Sequence, residues 1–265
     1  MFSPSENYSA NPPGSIPAFG LNAVLQPAEP EWSTQRHPQL LMPVAGVVRV
    51  DARSSSAVIP AGRVVWIPGD VEHAVSVKRP VAVRVVRFWR GLEPGQGLDV
   101  FAAPPLLKEM VRHAADWGQD PPRTDAADAF FTALGGLIGR WRASTDDITL
   151  PHAGSPELRQ GLNWLLGRLA HPVGPVDAAL HAGLSLRTFQ RRCRAELGMS
   201  PSAWLQRARV LQGLEMLNHS DLSIADVAMR CGYQSQASFG RVFKDHLGFT
   251  PVAWRALDAG SPSQN

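Results

Sequence analysis

Residues 223–251 read Ser223-Ile224-Ala225-Asp226-Val227-Ala228-Met229-Arg230-Cys231-Gly232-Tyr233-Gln234-Ser235-Gln236-Ala237-Ser238-Phe239-Gly240-Arg241-Val242-Phe243-Lys244, then Asp245-His246-Leu247-Gly248-Phe249-Thr250-Pro251. The spacing predicts a short helix over Ile224–Cys231, a turn, and a second helix with Phe239, Phe243 and Leu247 facing inward. Ala228 is small enough for the second helix to cross closely. Gly232 supplies the left-handed turn conformation that a Cβ would penalise. Ser235 is placed as the N-cap of the second helix, and Ser223 with Asp226 three residues on resembles a capping box.

Working outward, the same pattern stands once more upstream. At an offset of 50, Phe189 meets Phe239, Arg191 meets Arg241, Leu197-Gly198 meets Leu247-Gly248, Ser200-Pro201 meets Thr250-Pro251, and Ala203-Trp204 meets Ala253-Trp254. At an offset of 49, Asp177 meets Asp226, Ala179 meets Ala228 and Gly183 meets Gly232. Chance does not give so many matches at two adjacent offsets; the chain holds a duplicated helix-turn-helix, with one residue added in the second turn. The first copy is predicted as a helix over Val176–Ala182, a turn at Gly183, the N-cap Ser185, and a helix with Phe189, Cys193 and Leu197 inward. Ser200-Pro201 and Thr250-Pro251 place an N-cap and a first-turn proline at the next helix starts. A helix over Pro201–Asn218 would join the copies, spanning roughly 27 Å. Adjacent major-groove faces of B-DNA lie about 34 Å apart, so a stiff helix of this length could hold two recognition helices in neighbouring grooves. One subunit could then read an asymmetric site of about 15–20 base pairs.

These motifs make residues 156–258 similar to the DNA-binding domain of the AraC/XylS family of bacterial transcription regulators. The resemblance implies that the first recognition helix presents Arg187, Gln190 and Arg191 to base edges, and the second Gln236, Ala237, Ser238 and Arg241. Arginine can bond bidentately to guanine and glutamine to adenine, each worth roughly 1–3 kcal/mol of discrimination. Arg192, Arg194, Arg209 and Lys244 are placed on phosphates, which fix register without reading sequence. One basic helix face alone would be read as a solvated surface; two equivalent faces, each behind Ala-x-x-x-Gly, favour DNA. Phe189, Leu197, Phe239, Phe243, Trp204 and Trp254 are assigned to the core rather than to base stacking, and Cys193 and Cys231 are read as buried small hydrophobes.

Upstream the texture changes. Residues 1–30 hold six prolines among small and polar residues and are expected to be a mostly irregular leader. Residues 31–100 carry short valine-rich segments, Leu40–Val50, Ala57–Ile59, Arg63–Ile67, Ala74–Val77 and Val81–Trp89, which predict a β-sandwich or barrel. Residues 101–142 turn helical, with predicted helices Pro105–Trp117 and Asp125–Trp141; residues 143–155 read as a linker and 259–265 as a tail. The fold class expected is α+β: a β-barrel followed by helices, then an all-α domain of two helix-turn-helix units joined by a long helix.

Gly62, then Pro68-Gly69-Asp70-Val71-Glu72-His73, resembles the second cupin motif, G-x5-P-x-G-x-x-H, with Asp70 where the motif has its internal glycine. Gln39-Leu40-Leu41, Ala45-Gly46-Val47-Val48-Arg49-Val50 and Val65-Trp66-Ile67-Pro68 are similar to AraC-type regulators with a small cupin-like sensor domain. In that subgroup two histidines precede the Gln-Leu pair by four and six positions; here those positions hold Gln35 and Ser33, and His37 is out of register. A first-row metal in a cupin needs three or four His, Glu or Asp side chains on one point. His73, the displaced His37 and an oppositely directed Glu72 do not supply them, so no metal and no cofactor is expected. The barrel mouth could hold one small ligand, with Gln35, His37, Trp66, His73 and Trp89 as candidate lining.

Residues 1–155 carry 14 Lys+Arg against 15 Asp+Glu, whereas residues 156–265 carry 12 against 8. The positive excess is thus confined to the C-terminal part, as a polyanion partner would favour. Two cysteines give no disulfide framework and fit a reducing compartment, no run of about 18 apolar residues exists to cross a bilayer, and the N-terminus lacks the basic and apolar regions of a signal peptide. The expectation is a cytoplasmic, non-enzymatic bacterial regulator that binds promoter double-stranded DNA and senses a small-molecule effector. It would act as a homodimer, with residues 101–142 pairing the copies or relaying the ligand signal, RNA polymerase as a further partner and a neighbouring transporter or metabolic gene as target. The alternative is a cupin-type metalloenzyme carrying a nucleic-acid-binding module.

Overall fold

The structure, a computed structural model, describes residues 18–88, 97–117, 124–142 and 148–259. Two compact units emerge: residues 1–53 with 57–149, and Leu150–Asn265 with Ser54–Ser56.

In the first unit the strands are β1 (Ala18–Leu25), β2 (Ser33–Thr34), β3 (Gln39–Pro43), β4 (Val47–Ala52), β5 (Ser55–Pro60), β6 (Arg63–Ile67), β7 (Glu72–Ser76), β8 (Val81–Phe88) and β9 (Asp99–Ala102). One sheet has the order β1-β8-β3-β6-β9 and the other runs β5-β4-β7-β2. The neighbouring pairs β1–β8, β3–β8, β3–β6, β6–β9, β4–β7 and β2–β7 are antiparallel. Two expectations are corrected. Ala18–Leu25, assigned to an irregular leader, is a strand paired along its whole length with Val81–Phe88; its alternation was masked by the prolines before and after it. Leu40–Val50, read as one strand, is two, because Gly46 takes a φ of 71° and turns the chain between β3 and β4.

Helices α1 (Pro105–Trp117) and α2 (Asp125–Arg142) follow where the helical period predicted them. Leu107, Val111, Ala114, Phe131, Leu134 and Ile138 pack on the outer face of the first sheet against Leu40, Trp66, Val86 and Phe88. The approach is close because β1 has Gly20 at the contact: a Cβ there would lie 2.2 Å from the Ala114 carbonyl. Arg142 closes the other end of α2 on Asp99 of β9 at 2.7 Å.

At the boundary stands β10 (Thr149–Pro151), a short strand within the stretch read as linker. Helices α3 (Pro156–Leu166), α4 (Pro175–His181), α5 (Leu186–Leu197), α6 (Pro201–His219), α7 (Ile224–Arg230), α8 (Gln236–Leu247) and α9 (Pro251–Ala259) complete the second unit. Each copy of the repeat is a three-helix unit, α3-α4-α5 and α6-α7-α8. In both, a glycine on the first helix admits the phenylalanine of the third: a Cβ on Gly161 would stand 2.7 Å from the Phe189 ring, and one on Gly213 2.7 Å from the Phe239 ring. That pairing extends the repeat beyond the motif legible in the sequence. Among the described residues, no helix is long and apolar enough to cross a membrane.

Candidate nucleic-acid interface

Helices α5 and α8 are built alike. Ser185 Oγ accepts from the Thr188 N–H at 3.2 Å, and Ser235 Oγ accepts from the Ser238 N–H at 3.2 Å. Each helix ends on a left-handed glycine, Gly198 with φ 70° and Gly248 with φ 84°. The turns before them use Gly183 and Gly232 at φ 64° and 76°, as the sequence required. One face is sunk in the unit: Phe189, Cys193 and Leu197 are buried, as are Phe239, Phe243 and Leu247. The opposite face is open, and it carries the predicted DNA readers.

Arg187, Gln190, Arg191 and Arg194 are exposed on α5; Gln236, Ala237, Arg241 and Lys244 are exposed on α8. At the repeat offset, Arg187, Arg191 and Arg194 correspond to Ala237, Arg241 and Lys244. The first helix is therefore the more basic, and Gln190 has only Gly240 as its counterpart. Ser238 is half-buried and engaged in its own cap: its hydroxyl donates to the Ser235 carbonyl at 2.9 Å.

Two arginines expected on phosphates are committed within the fold. Arg192 donates to Glu157 of α3 at 2.9 Å. Beside it, the Ser155 N–H and hydroxyl donate to Glu196 at 2.9 and 2.6 Å, so α5 is tied to the start of α3. Burial opposes ionisation of Glu196, but these bonds and the Arg192 charge outweigh it and hold its carboxyl below the usual range. Half-buried Arg209 donates through Nε to the Leu169 carbonyl at 3.1 Å and through Nη2 to the His171 carbonyl at 3.0 Å. The sequence shows that these arginines are basic residues on helices; their partners lie 35 to 40 positions away and are set by packing. Trp204 and Trp254 are buried, and the Trp204 indole donates to the Pro151 carbonyl at 2.9 Å. Burial pushes the Cys193 and Cys231 thiols up to about 12.

The residues proposed for a ligand mouth in the first unit divide. His73 is buried on β7; its Nδ1 lies 2.8 Å from the Val71 carbonyl, so that nitrogen is the donor. Nε2 is then the acceptor, and the Gln39 amide donates to it at 3.1 Å. Burial holds His73 below its ordinary pKa, and the positive charge of Arg87 adds to the effect against the Val71 bond. Half-buried His37 is lowered as well, by burial and then Arg36, with Asp70 pulling the other way and Arg87 adding to the lowering. Gln35 joins through its backbone, accepting from the Asp70 N–H at 2.7 Å. Trp66 is not part of this group. It pairs with Leu40, the neighbour of Gln39, and strand alternation sends it to the opposite face. There it is fully buried against Phe88, with the Arg142 guanidinium 5.1 Å over its ring. Trp89 lies outside the described residues. Gln39 and Arg87 were missed. The signal for Arg87 was a charge at an inward position of an alternating strand, after Val83 and Val85. Glu72 is bound to Arg53 at 2.7 Å, and no three His, Cys, Asp or Glu side chains converge as a metal site among the described residues.

Two capped helix-turn-helix units in tandem, each presenting an exposed basic stripe, define the second unit as a duplicated helix-turn-helix domain. A family model described as a helix-turn-helix domain matches residues 178–257. Residues 178–257 are thus a helix-turn-helix domain by sequence match as well as by geometry. The chain is 33% identical over 94 residues to the HTH-type transcriptional activator RhaS of Klebsiella pneumoniae (strain 342), covering 36% of this chain and 34% of that protein. It is 30% identical over 141 residues to the HTH-type transcriptional activator RhaR of Salmonella dublin, covering 53% and 49%. It also matches the crystal structure of the DNA-binding domain of AdpA, the global transcriptional factor, in complex with a target DNA. That match has 37% identity and a TM-score of 0.39 over 42% of this chain and 100% of that one. The chain thus spans half or less of the curated relatives' length.

Proposed function

We propose that the protein is a sequence-specific DNA-binding transcription regulator. The observation that carries this reading is the pair of equally long, identically capped helices α5 and α8, each exposing an arginine-bearing stripe on its open face. RhaS and RhaR are both named transcriptional activators, which supports regulation over catalysis and activation as the output. Arg187, Gln190, Arg191, Gln236, Ala237 and Arg241 read base edges; Arg194 and Lys244 hold phosphates. The first unit senses a small polar effector through the group around His73, Gln39, His37 and Arg87. A ligand that prefers one state of the protein shifts its population and so its grip on a promoter. Helices α1 and α2 pair two copies, RNA polymerase is the downstream partner, and the protein works in the cytoplasm, where its DNA is.

The test is competition between fragments of the source genome and scrambled duplexes for the full chain at moderate ionic strength. Wild type retains selected fragments, and Arg187→Ala or Arg241→Ala loses about 1–3 kcal/mol on them with relaxed preference at particular base pairs. Equal weakening on selected and scrambled DNA would refute base reading, and no preference in the wild type refutes the function.

A further inference from the structure

The two recognition helices are connected by more than a rod. Arg209 lies on α6, the helix that joins the two helix-turn-helix units of the C-terminal domain (the first holding α5, the second α8), and its planar fork grips two carbonyls, Leu169 and His171, in the loop that leaves α3. The turn glycine of the second unit rests on the same spot: a Cβ on Gly232 would stand 2.3 Å from the Leu169 carbonyl oxygen and 2.9 Å from the Arg209 guanidinium carbon. A loop of the first unit, the connecting helix and the turn of the second unit therefore meet at one point. The turn of the first unit makes no such contact, since a Cβ on Gly183 would meet nothing within 4 Å. The glycine-to-ring contacts inside the two copies are separate ones, Gly161 against Phe189 and Gly213 against Phe239.

Resting on the DNA-reading function above, we infer that Arg209 is a positioning residue that fixes the spacing between α5 and α8, and thereby the spacing of the two base clusters the protein accepts. Removing its fork leaves each unit folded and each helix reading its own bases, but frees one unit to move against the other.

The experiment selects from random duplexes of about 30 base pairs, longer than the 15–20 that two adjacent grooves occupy, with full-length wild type, Arg209→Lys and Arg209→Gln. Wild type enriches two base clusters at one spacing. The variants enrich the same clusters at several spacings or one cluster alone, and lose on the order of 100-fold affinity for the wild-type site, as when a second contact loses its fixed effective concentration. Variants that keep the single spacing overturn the proposal, whereas a wild type that enriches nothing overturns the DNA-reading function instead. A second measurement needs no DNA. Spin labels at Ala195→Cys and Asp245→Cys, exposed and equivalent on α5 and α8, report one narrow distance in wild type and a broadened distribution in Arg209→Lys. Buried Cys193 and Cys231 stay unlabelled. An unchanged distribution, or loss of helix in both variants, overturns a positioning role.

Discussion

Gly183 and Gly232 hold the same place in the two turns with nearly the same φ, yet they do different work. At Gly183 a side chain faces only the backbone penalty, because nothing lies within 4 Å of a Cβ. At Gly232 it also faces the Leu169 carbonyl at 2.3 Å. Gly183→Ala is expected to destabilise the second unit by about 1–2 kcal/mol, and Gly232→Ala by a further 1–3 kcal/mol or so from overpacking. Urea unfolding measures both, and equal losses would show that the contact at Gly232 relaxes freely. Asp70 makes the complementary point in the first unit. It stands where the resembled motif has glycine, and its φ of 61° keeps the left-handed turn, a conformation aspartate tolerates better than most residues.

Among the elements, β7 and β3 deliver His73 and Gln39 to each other between the sheets, where burial disfavours the charged imidazole. Its proton affinity is below that of an unfolded histidine, near 6.5, and His37 is shifted in the same sense. The unfolded chain therefore takes up protons first as the pH falls. The stability these histidines contribute is present above about pH 6.5 and is lost progressively below it. His73→Gln is expected to flatten the fall in urea midpoint between pH 7.5 and pH 5 relative to wild type; an identical slope in both would place the acid sensitivity elsewhere. Helix α5 shows a further element-scale device absent from α8. Glu196 is held by Ser155 and Arg192 by Glu157, so the first recognition helix is bolted to the start of α3. In α8, His246 occupies the place of Glu196 and turns instead to its own helix, 3.0 Å from the Val242 carbonyl.

For the whole molecule, the charge division matters most. Residues 1–155 are close to neutral, with 14 basic against 15 acidic side chains, and the excess of arginine and lysine lies in residues 156–265. Of the basic side chains there, Arg194 and Lys244 are exposed, while Arg192 and Arg209 are engaged by the protein itself. Phosphate neutralisation is expected to come from the exposed pair. Lys244→Ala and Arg194→Ala should each weaken binding to every duplex alike and lower the slope of log affinity against log salt by about one. A titration from low to moderate salt checks this, and an unchanged slope removes the residue from the phosphate contacts.

The sequence by itself determined what is set by neighbours along the chain: the duplication, the serine caps at Ser185 and Ser235, the left-handed glycines at the turns, the extents of α1 and α2, and which faces of α5 and α8 are turned inward. Those features follow from hydrogen bonds and side-chain periods that reach three or four residues, so they are written locally. Only the tertiary structure decided that Arg209 holds carbonyls 40 and 38 residues away, that Gln39 meets His73, that Trp66 turns its back on both, and that Gly161 and Gly213 make room for Phe189 and Phe239. An arginine or a glycine looks the same in sequence whether it faces solvent or a neighbouring helix. Its role depends on which distant segment the packed core brings against it.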